Sequence, residues 1–140
     1  MAGIVKHGRA AATLRWLALL GLVAAYLQGG LDKAFDFASA IGEMQHFGLA
    51  PAAPLAAATI ALELGASVLI LAGVWRGAAA LALAAFTLAA TFVANRFWAA
   101  TGADRFMLEN GFFEHLGLVG GFLLVAWMDW RERAAARREA

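Results

Sequence analysis

The sequence predicts an all-α membrane protein, a bundle of four transmembrane helices with a short amphipathic helix between the first and second spans. Three observations support this fold class. Hydrophobic residues make up 63% of the 140 residues and charged residues 15%, whereas a soluble domain usually carries about 25% charged residues. Four apolar runs each approach the roughly 20 residues that a helix needs to cross a bilayer. Lysine and arginine are also divided unevenly between the two sets of connections, which is typical of multispan proteins.

The four apolar runs make up most of a single predicted domain, residues 1–140. All are rich in alanine and leucine and lack the alternation of polar and apolar residues that marks half-buried strands. Arg15 lies near the start of the first run, from where its long side chain can reach the interface. The short turn at Arg76 makes the second and third spans an antiparallel hairpin. The predicted spans are residues 12–30, 55–75, 77–95 and 111–130.

The two longer connections lie on the opposite side of the membrane from the Arg76 turn. In the first, Phe37, Ile41 and Met44 recur at helical spacing opposite a polar stripe, which predicts a short amphipathic helix at the membrane surface. Pro51 ends this segment, because the residue before a proline is disfavoured in a helix. The second connection, residues 98–110, is predicted to be a polar loop.

The basic residues predict the orientation. Eight lie on the side of the Arg76 turn and three on the other side. Cytoplasmic connections carry the excess of Lys and Arg, so both termini are predicted to face the cytoplasm at a bacterial inner membrane. An alternative is a signal peptide with residues 17–25 in its core, but the apolar run is long for such a core and its removal would leave three spans. The eight are Lys6, Arg9, Arg15, Arg76, Arg131, Arg133, Arg137 and Arg138, and the three are Lys33, Arg96 and Arg105.

The composition argues against several kinds of chemistry. The chain has no cysteine, which excludes disulfides, thiol redox chemistry and cysteine metal ligands. A net charge of +1 without a basic stripe gives no reason to expect nucleic-acid binding. Glu43 and His46 have the Glu-x-x-His spacing of di-iron bundles, but such a site needs two copies of that motif. No phosphate-binding loop or nucleophile motif occurs, and no metal site is predicted.

Glu63 is the most informative residue, because it lies near the middle of the second span. An ionised carboxylate at that depth costs about 2.5–3.5 kcal/mol on insertion scales. It is therefore predicted to face the interior of the bundle, with a partner or a proton. Thr59 and Ser67 lie four residues to either side and share its helix face. A purely structural role, in which Glu63 joins helices by hydrogen bonds, is the alternative.

Other polar residues lie at the outer ends of the spans, on the side opposite the Arg76 turn. Because they share this side with Glu63, the sequence predicts a polar pocket that opens outward and has Glu63 at its floor. Lys33 and Arg96 are the predicted countercharges. Glu63 and the five outer-end side chains are all predicted to take part in ligand binding or proton handling. The outer-end residues are Lys33, Asn95, Arg96, Glu114 and His115.

Several segments resemble the DoxX family of small bacterial membrane proteins. The first span ends in GGLDKAFDF, the second continues through its turn as ELGASVLILAGVWRGAA, and the last contains FFEHLGLVGGFLLV. Their order and spacing extend the resemblance from about residue 15 to 127. The resemblance implies a four-helix membrane bundle associated with redox metabolism. Relatives are linked to quinone-coupled oxidation of sulfur compounds, to resistance to quinones and oxidants, and to membrane redox complexes.

The main hypothesis is an accessory, redox-associated membrane subunit rather than a stand-alone enzyme. It would bind a quinone or another small lipophilic molecule in the pocket, or support a partner oxidoreductase. Glu63 would accept a proton or a hydrogen bond, with Lys33 and Arg96 tuning its charge. The alternatives are a small-molecule permease or exporter, which would need a homo-oligomer because four helices form only a narrow pore, and a non-catalytic membrane scaffold.

Overall fold

A computed structural model describes the backbone of residues 2–139 and the side chains of residues 9–139. Lys6, one of the eight basic residues predicted to face the cytoplasm, therefore lies outside the described side chains. The described chain is helical without a strand, which confirms the predicted fold class. Four helices, α1, α3, α4 and α5, are long and apolar enough to cross a membrane. The elements are α1 (Ala2–Phe35), α2 (Phe37–His46), α3 (Ala52–Ala72), α4 (Arg76–Ala94), a 3-10 turn (Phe97–Ala99) and α5 (Gly102–Ala136).

The predicted loop at residues 98–110 is wrong for most of its length, because α5 begins at Gly102. Asp104 lies in the first turn of α5, where a carboxylate interacts favourably with the helix dipole. Arg105 and Glu109 form an ion pair of 4.0 Å between side chains four residues apart. These local interactions favour a helix even though the segment is polar.

The turn between α3 and α4 is built by a glycine and an arginine. Gly73 has a φ of 76°, a left-handed conformation in which glycine carries no steric cost. The Nε atom of Arg76 donates a hydrogen bond of 3.0 Å to the carbonyl of Ile70, one of the last carbonyls of α3. Both features end α3 and reverse the chain, as the hairpin prediction requires.

The short helix α2 is amphipathic, as predicted. Asp36 caps its start, accepting a 3.0 Å hydrogen bond from the backbone N–H of Ser39. Ala40 and Met44 are buried against Ala56 of α3, while Phe37 is 40% exposed. This packing fixes α2 across one end of the bundle, called here the α2 end; the opposite end, at the Gly73 turn, is called the turn end.

Packing differs between the two halves of the bundle. α4 and α5 have the most extensive contact, α3 packs between α1 and α4, and α1 approaches α5 at only a few positions. The half towards the turn end is filled by side chains with no exposed surface, namely Val23, Ile70, Leu83 and Phe122. Many large apolar side chains instead point outward, which suits helices whose solvent is lipid. They include Leu17 (53% exposed), Val68 (58%), Phe92 (52%) and Leu124 (60%).

Candidate functional site

The half of the bundle towards the α2 end contains a cavity of about 420 Å³. All five helices contribute to its walls, and the lining is apolar apart from a few side chains. That volume falls within the range of about 300–1,000 Å³ typical of small-molecule sites, which combine apolar walls with a few polar groups. The polar and ionisable lining residues are Tyr26, Lys33, Glu43, Thr59, Glu63, Thr87 and His115.

An ion pair between Lys33 of α1 and Glu63 of α3 lies in the wall of this cavity. The Nζ atom of Lys33 lies 3.3 Å from Oε2 and 3.5 Å from Oε1 of Glu63. The side chains are 18% and 8% exposed, respectively. Nζ also lies 3.5 Å from the carbonyl oxygen of Gly29. The pair places a cation with several N–H donors, and an acceptor beside it, at the edge of an apolar chamber.

Two glycines of α1 allow this pair to form. A Cβ atom on Gly30 would lie 2.8 Å from Cδ2 of Leu64 and 3.3 Å from Cβ of Glu63. A Cβ atom on Gly29 would lie 3.4 Å from Nζ of Lys33. The absence of side chains therefore lets α1 and α3 approach closely, as small residues do between membrane helices. This close approach brings Lys33 within reach of Glu63.

His115 lines the cavity from α5 and is held by Asn95, which follows α4. The Nδ2 atom of Asn95 lies 3.1 Å from Nδ1 of His115 and donates a 3.1 Å hydrogen bond to Oγ1 of Thr91. A Cβ atom on Gly111 would lie 3.1 Å from Oδ1 of Asn95, so the amide packs directly on α5. Because Nδ1 is engaged by the amide, Nε2 is the ring nitrogen available to a molecule in the cavity.

Two of the six predicted site residues lie elsewhere. Arg96 precedes the 3-10 turn and Glu114 lies on α5; both are exposed and neither lines the cavity. Within the described side chains, Lys33 is therefore the cation of this cavity, and Arg96 is not placed as a countercharge. Glu63 and His115 line the cavity with Lys33, while Asn95 stands behind His115.

The six predicted site residues do not include the polar lining residues Glu43, Tyr26 and Thr87. Glu43 lies in the segment predicted to be an amphipathic surface helix, and because α2 lies across the cavity, Glu43 forms part of the cavity wall. Tyr26 and Thr87 are buried and joined by a hydrogen bond between their hydroxyl groups. The Tyr26 ring packs edge-on against Phe122, with centroids 5.3 Å apart. This layer separates the cavity from the filled half of the bundle.

A second buried carboxylate, Asp129, lies near the turn end of α5 and outside the cavity. Its Oδ2 accepts hydrogen bonds from the backbone N–H of Gly77, at 3.1 Å, and from Nε of Arg133, at 2.8 Å. It therefore caps the first turn of α4, where amide groups lack partners within the helix, and ties α4 to α5. This role is structural.

A family model described as DoxX matches residues 13–96, more than half of the chain. The matched range includes Lys33 and Glu63 and ends before α5, so it does not include His115. No curated protein and no solved structure gives a match.

Proposed function

The chain belongs to the DoxX family, and from that premise we propose that it is a redox-associated membrane subunit that binds a quinone, or a lipophilic molecule with a similar head group, in the cavity at the α2 end. The observation that carries this proposal is the Lys33–Glu63 pair, at 3.3 Å, in the wall of an otherwise mainly apolar cavity of about 420 Å³. A buried charge pair is costly to maintain without further hydrogen bonds. A ligand that accepts a hydrogen bond from Lys33 would supply one.

The chemistry of a quinone head group matches these walls. Its ring is flat and apolar, and its carbonyl oxygens accept hydrogen bonds but donate none. Lys33 carries three N–H donors, and its contacts, to Glu63 at 3.3 and 3.5 Å and to the Gly29 carbonyl at 3.5 Å, are longer than the usual range of about 2.7–3.2 Å, so a quinone carbonyl could replace one of them. His115 offers Nε2 from a different helix, so two carbonyls on opposite sides of one ring could each meet a donor. Glu63 would balance the charge and accept a proton if the bound molecule released one.

The position of the cavity favours a ligand that enters from the bilayer. Ala25 of α1 and Ala89 of α4 line the cavity and are exposed rather than buried, so the cavity is open at the level of these two residues. A molecule dissolved among acyl chains could therefore reach the cavity sideways. Towards the turn end, Tyr26, Thr87 and Phe122 close the bundle, each at most 6% exposed. This closure favours a binding role over the alternative of a permease, which needs a path to the other side.

The chain has no cysteine and so offers neither a thiol couple nor thiolate ligands for a cluster. Electrons for a bound quinone would come from a partner oxidoreductase, while this chain holds and orients the head group. This division of work is the reason for proposing a subunit rather than a stand-alone enzyme.

The binding proposal predicts that duroquinone stabilises the purified protein. At a concentration 100 times its Kd, a ligand specific for the folded state adds about 2.7 kcal/mol, so the Tm should rise by several degrees. Ala90 of α4 lines the cavity, and Ala90→Leu should abolish the rise by occupying the space of the ring. The control is Ala85→Leu, which adds the same side chain on an exposed part of α4 outside the cavity lining. An equal rise in both variants would rule out this cavity as the binding site.

We also propose that the chain lies in a bacterial inner membrane with the turn end facing the cytoplasm. Because the chain has no native cysteine, single cysteines can test this orientation directly. In intact cells a membrane-impermeant maleimide should label Ala103→Cys, near the α2 end, and should label Ala135→Cys only after the cells are permeabilised. The reverse labelling pattern would show the opposite orientation.

A further inference from the structure

A second space, of about 510 Å³, lies between α1 and α5 towards the turn end. Its walls are apolar except for Arg15, and they include Ala18 and Leu22 of α1 and Val125 and Met128 of α5. It is separate from the cavity at the α2 end, because the Tyr26–Phe122 contact between α1 and α5 lies between the two spaces. This space is called here the α1–α5 groove.

The groove exists because α1 and α5 touch at only a few places. Gly121 of α5 packs directly against Leu22 of α1, because a Cβ atom on Gly121 would lie 3.0 Å from Cδ1 of Leu22. Below this contact, Ala18 is too small to fill the space between the helices. The groove therefore runs along the bilayer-facing side of the bundle, where a hydrocarbon chain is the natural occupant of an apolar slot.

A charged pair crosses the groove near its membrane-surface end. The Nη1 and Nη2 atoms of Arg15 donate hydrogen bonds of 2.7 and 3.0 Å to Oε1 and Oε2 of Glu132. The two side chains are 38% and 51% exposed, so they remain accessible to other polar groups. Trp16 follows Arg15 in the chain, and Trp130 lies two residues before Glu132. These tryptophans are 46% and 50% exposed, as expected at the level of lipid head groups.

We propose that the α1–α5 groove binds a phospholipid whose head group carries a phosphate and a primary ammonium, such as phosphatidylethanolamine. One acyl chain would lie in the groove along Ala18 and Leu22. The phosphate would accept hydrogen bonds from Arg15, and the ammonium would donate to Glu132. The charges are complementary: Arg15 lines the end of the groove and its partner Glu132 lies beside it, and this head group presents one charge of each sign. A purely anionic lipid would satisfy Arg15 but would place its charge beside Glu132.

Native mass spectrometry of the delipidated protein, with one lipid added at a time, tests this proposal. Phosphatidylethanolamine should be retained at one copy per chain. Phosphatidylcholine, whose ammonium has no N–H donor, and phosphatidylglycerol, which has no ammonium, should each be held about tenfold more weakly, as expected for one lost hydrogen bond to a charged group. Equal retention of the three lipids, or stronger retention of phosphatidylglycerol, would overturn the proposal.

Three variants test the position of the site and its contact with the head group. Ala18→Leu fills the groove and should abolish retention, whereas Ala24→Leu adds the same side chain to an exposed position on α1 outside the groove and should not. Glu132→Gln removes only an exposed charge, so the fold should be unaffected, and phosphatidylethanolamine should then be held no better than phosphatidylcholine. A dimer that forms in place of lipid binding and is lost in Ala18→Leu would show that a second copy of the chain occupies the groove instead.

Discussion

Lys33→Met is expected to lower the free energy of unfolding by about 3–5 kcal/mol and to abolish duroquinone binding. Removing one member of a buried ion pair leaves the other charge without compensation, and this range is the usual cost. The Glu63 carboxylate is only 8% exposed and lies near the middle of α3, so it cannot reach the membrane surface. The measurement is the denaturation of purified protein in mixed micelles, together with the ligand-dependent shift in Tm.

Two companion variants separate the fold from the site. Lys33→Met combined with Glu63→Met removes both charges and should recover most of the lost stability, because replacing a buried pair by apolar residues is often neutral or better. It should still not bind duroquinone, since the donor is absent. Glu63→Gln should cost less than Lys33→Met, because Lys33 lies near the end of α1 and its ammonium can extend towards the interface. If Lys33→Met were as stable as the native protein and still bound duroquinone, the pair would not be a functional site.

Asp129→Ala is expected to lower the free energy of unfolding by about 2 kcal/mol while leaving duroquinone binding unchanged. The change removes a helix cap, which is worth about 0.5–2 kcal/mol, and a charge-assisted hydrogen bond to Arg133. Arg133 is half-exposed and can be solvated, which keeps the loss below that for Lys33→Met. Thermal unfolding with and without duroquinone measures both effects.

The controls for Asp129 use the same chemistry at other positions. Asp129→Asn keeps an oxygen acceptor for the Gly77 N–H and should recover part of the stability. Asp104→Ala removes an exposed carboxylate from the first turn of α5 and should cost no more than about 1 kcal/mol. Gly77→Ala should be destabilising for a steric reason, because its Cβ atom would lie 2.9 Å from Nε1 of Trp130. A loss of ligand binding in Asp129→Ala without a loss of stability would contradict the structural role.

The four spans and the amphipathic helix follow from the sequence because each depends on a local pattern. A run of apolar residues has to enter lipid as a helix, and α2 shows helical spacing over its own ten residues. The start of α5 does not follow from hydropathy: residues 102–110 are polar, which favours a loop, but Arg105 and Glu109 are spaced four residues apart, as in a helix. The helix begins within a polar segment, so hydropathy does not mark that boundary.

The sequence predicts the level of the site in the membrane but not the direction in which each side chain points. Lys33 and Arg96 have the same charge and the same expected level in the membrane. Lys33 continues α1 beyond Gly29 and Gly30 and so faces α3, whereas Arg96 follows the end of α4, where the turn directs it to the surface. Asp129 was missed because its partner, Gly77, is 52 residues away in the chain. Such pairings depend on tertiary packing and leave no periodic pattern.

The most direct test of the central claim is photoaffinity labelling with an azidoquinone, followed by peptide mapping. Label is expected on residues 25–33 of α1, on residues 86–94 of α4 or at His115, and excess duroquinone should compete it away. Ala90→Leu should lose this label, and Ala85→Leu should keep it. Label spread evenly over the lipid-facing surface, or unaffected by competition and by Ala90→Leu, would contradict a quinone site beside Lys33 and Glu63.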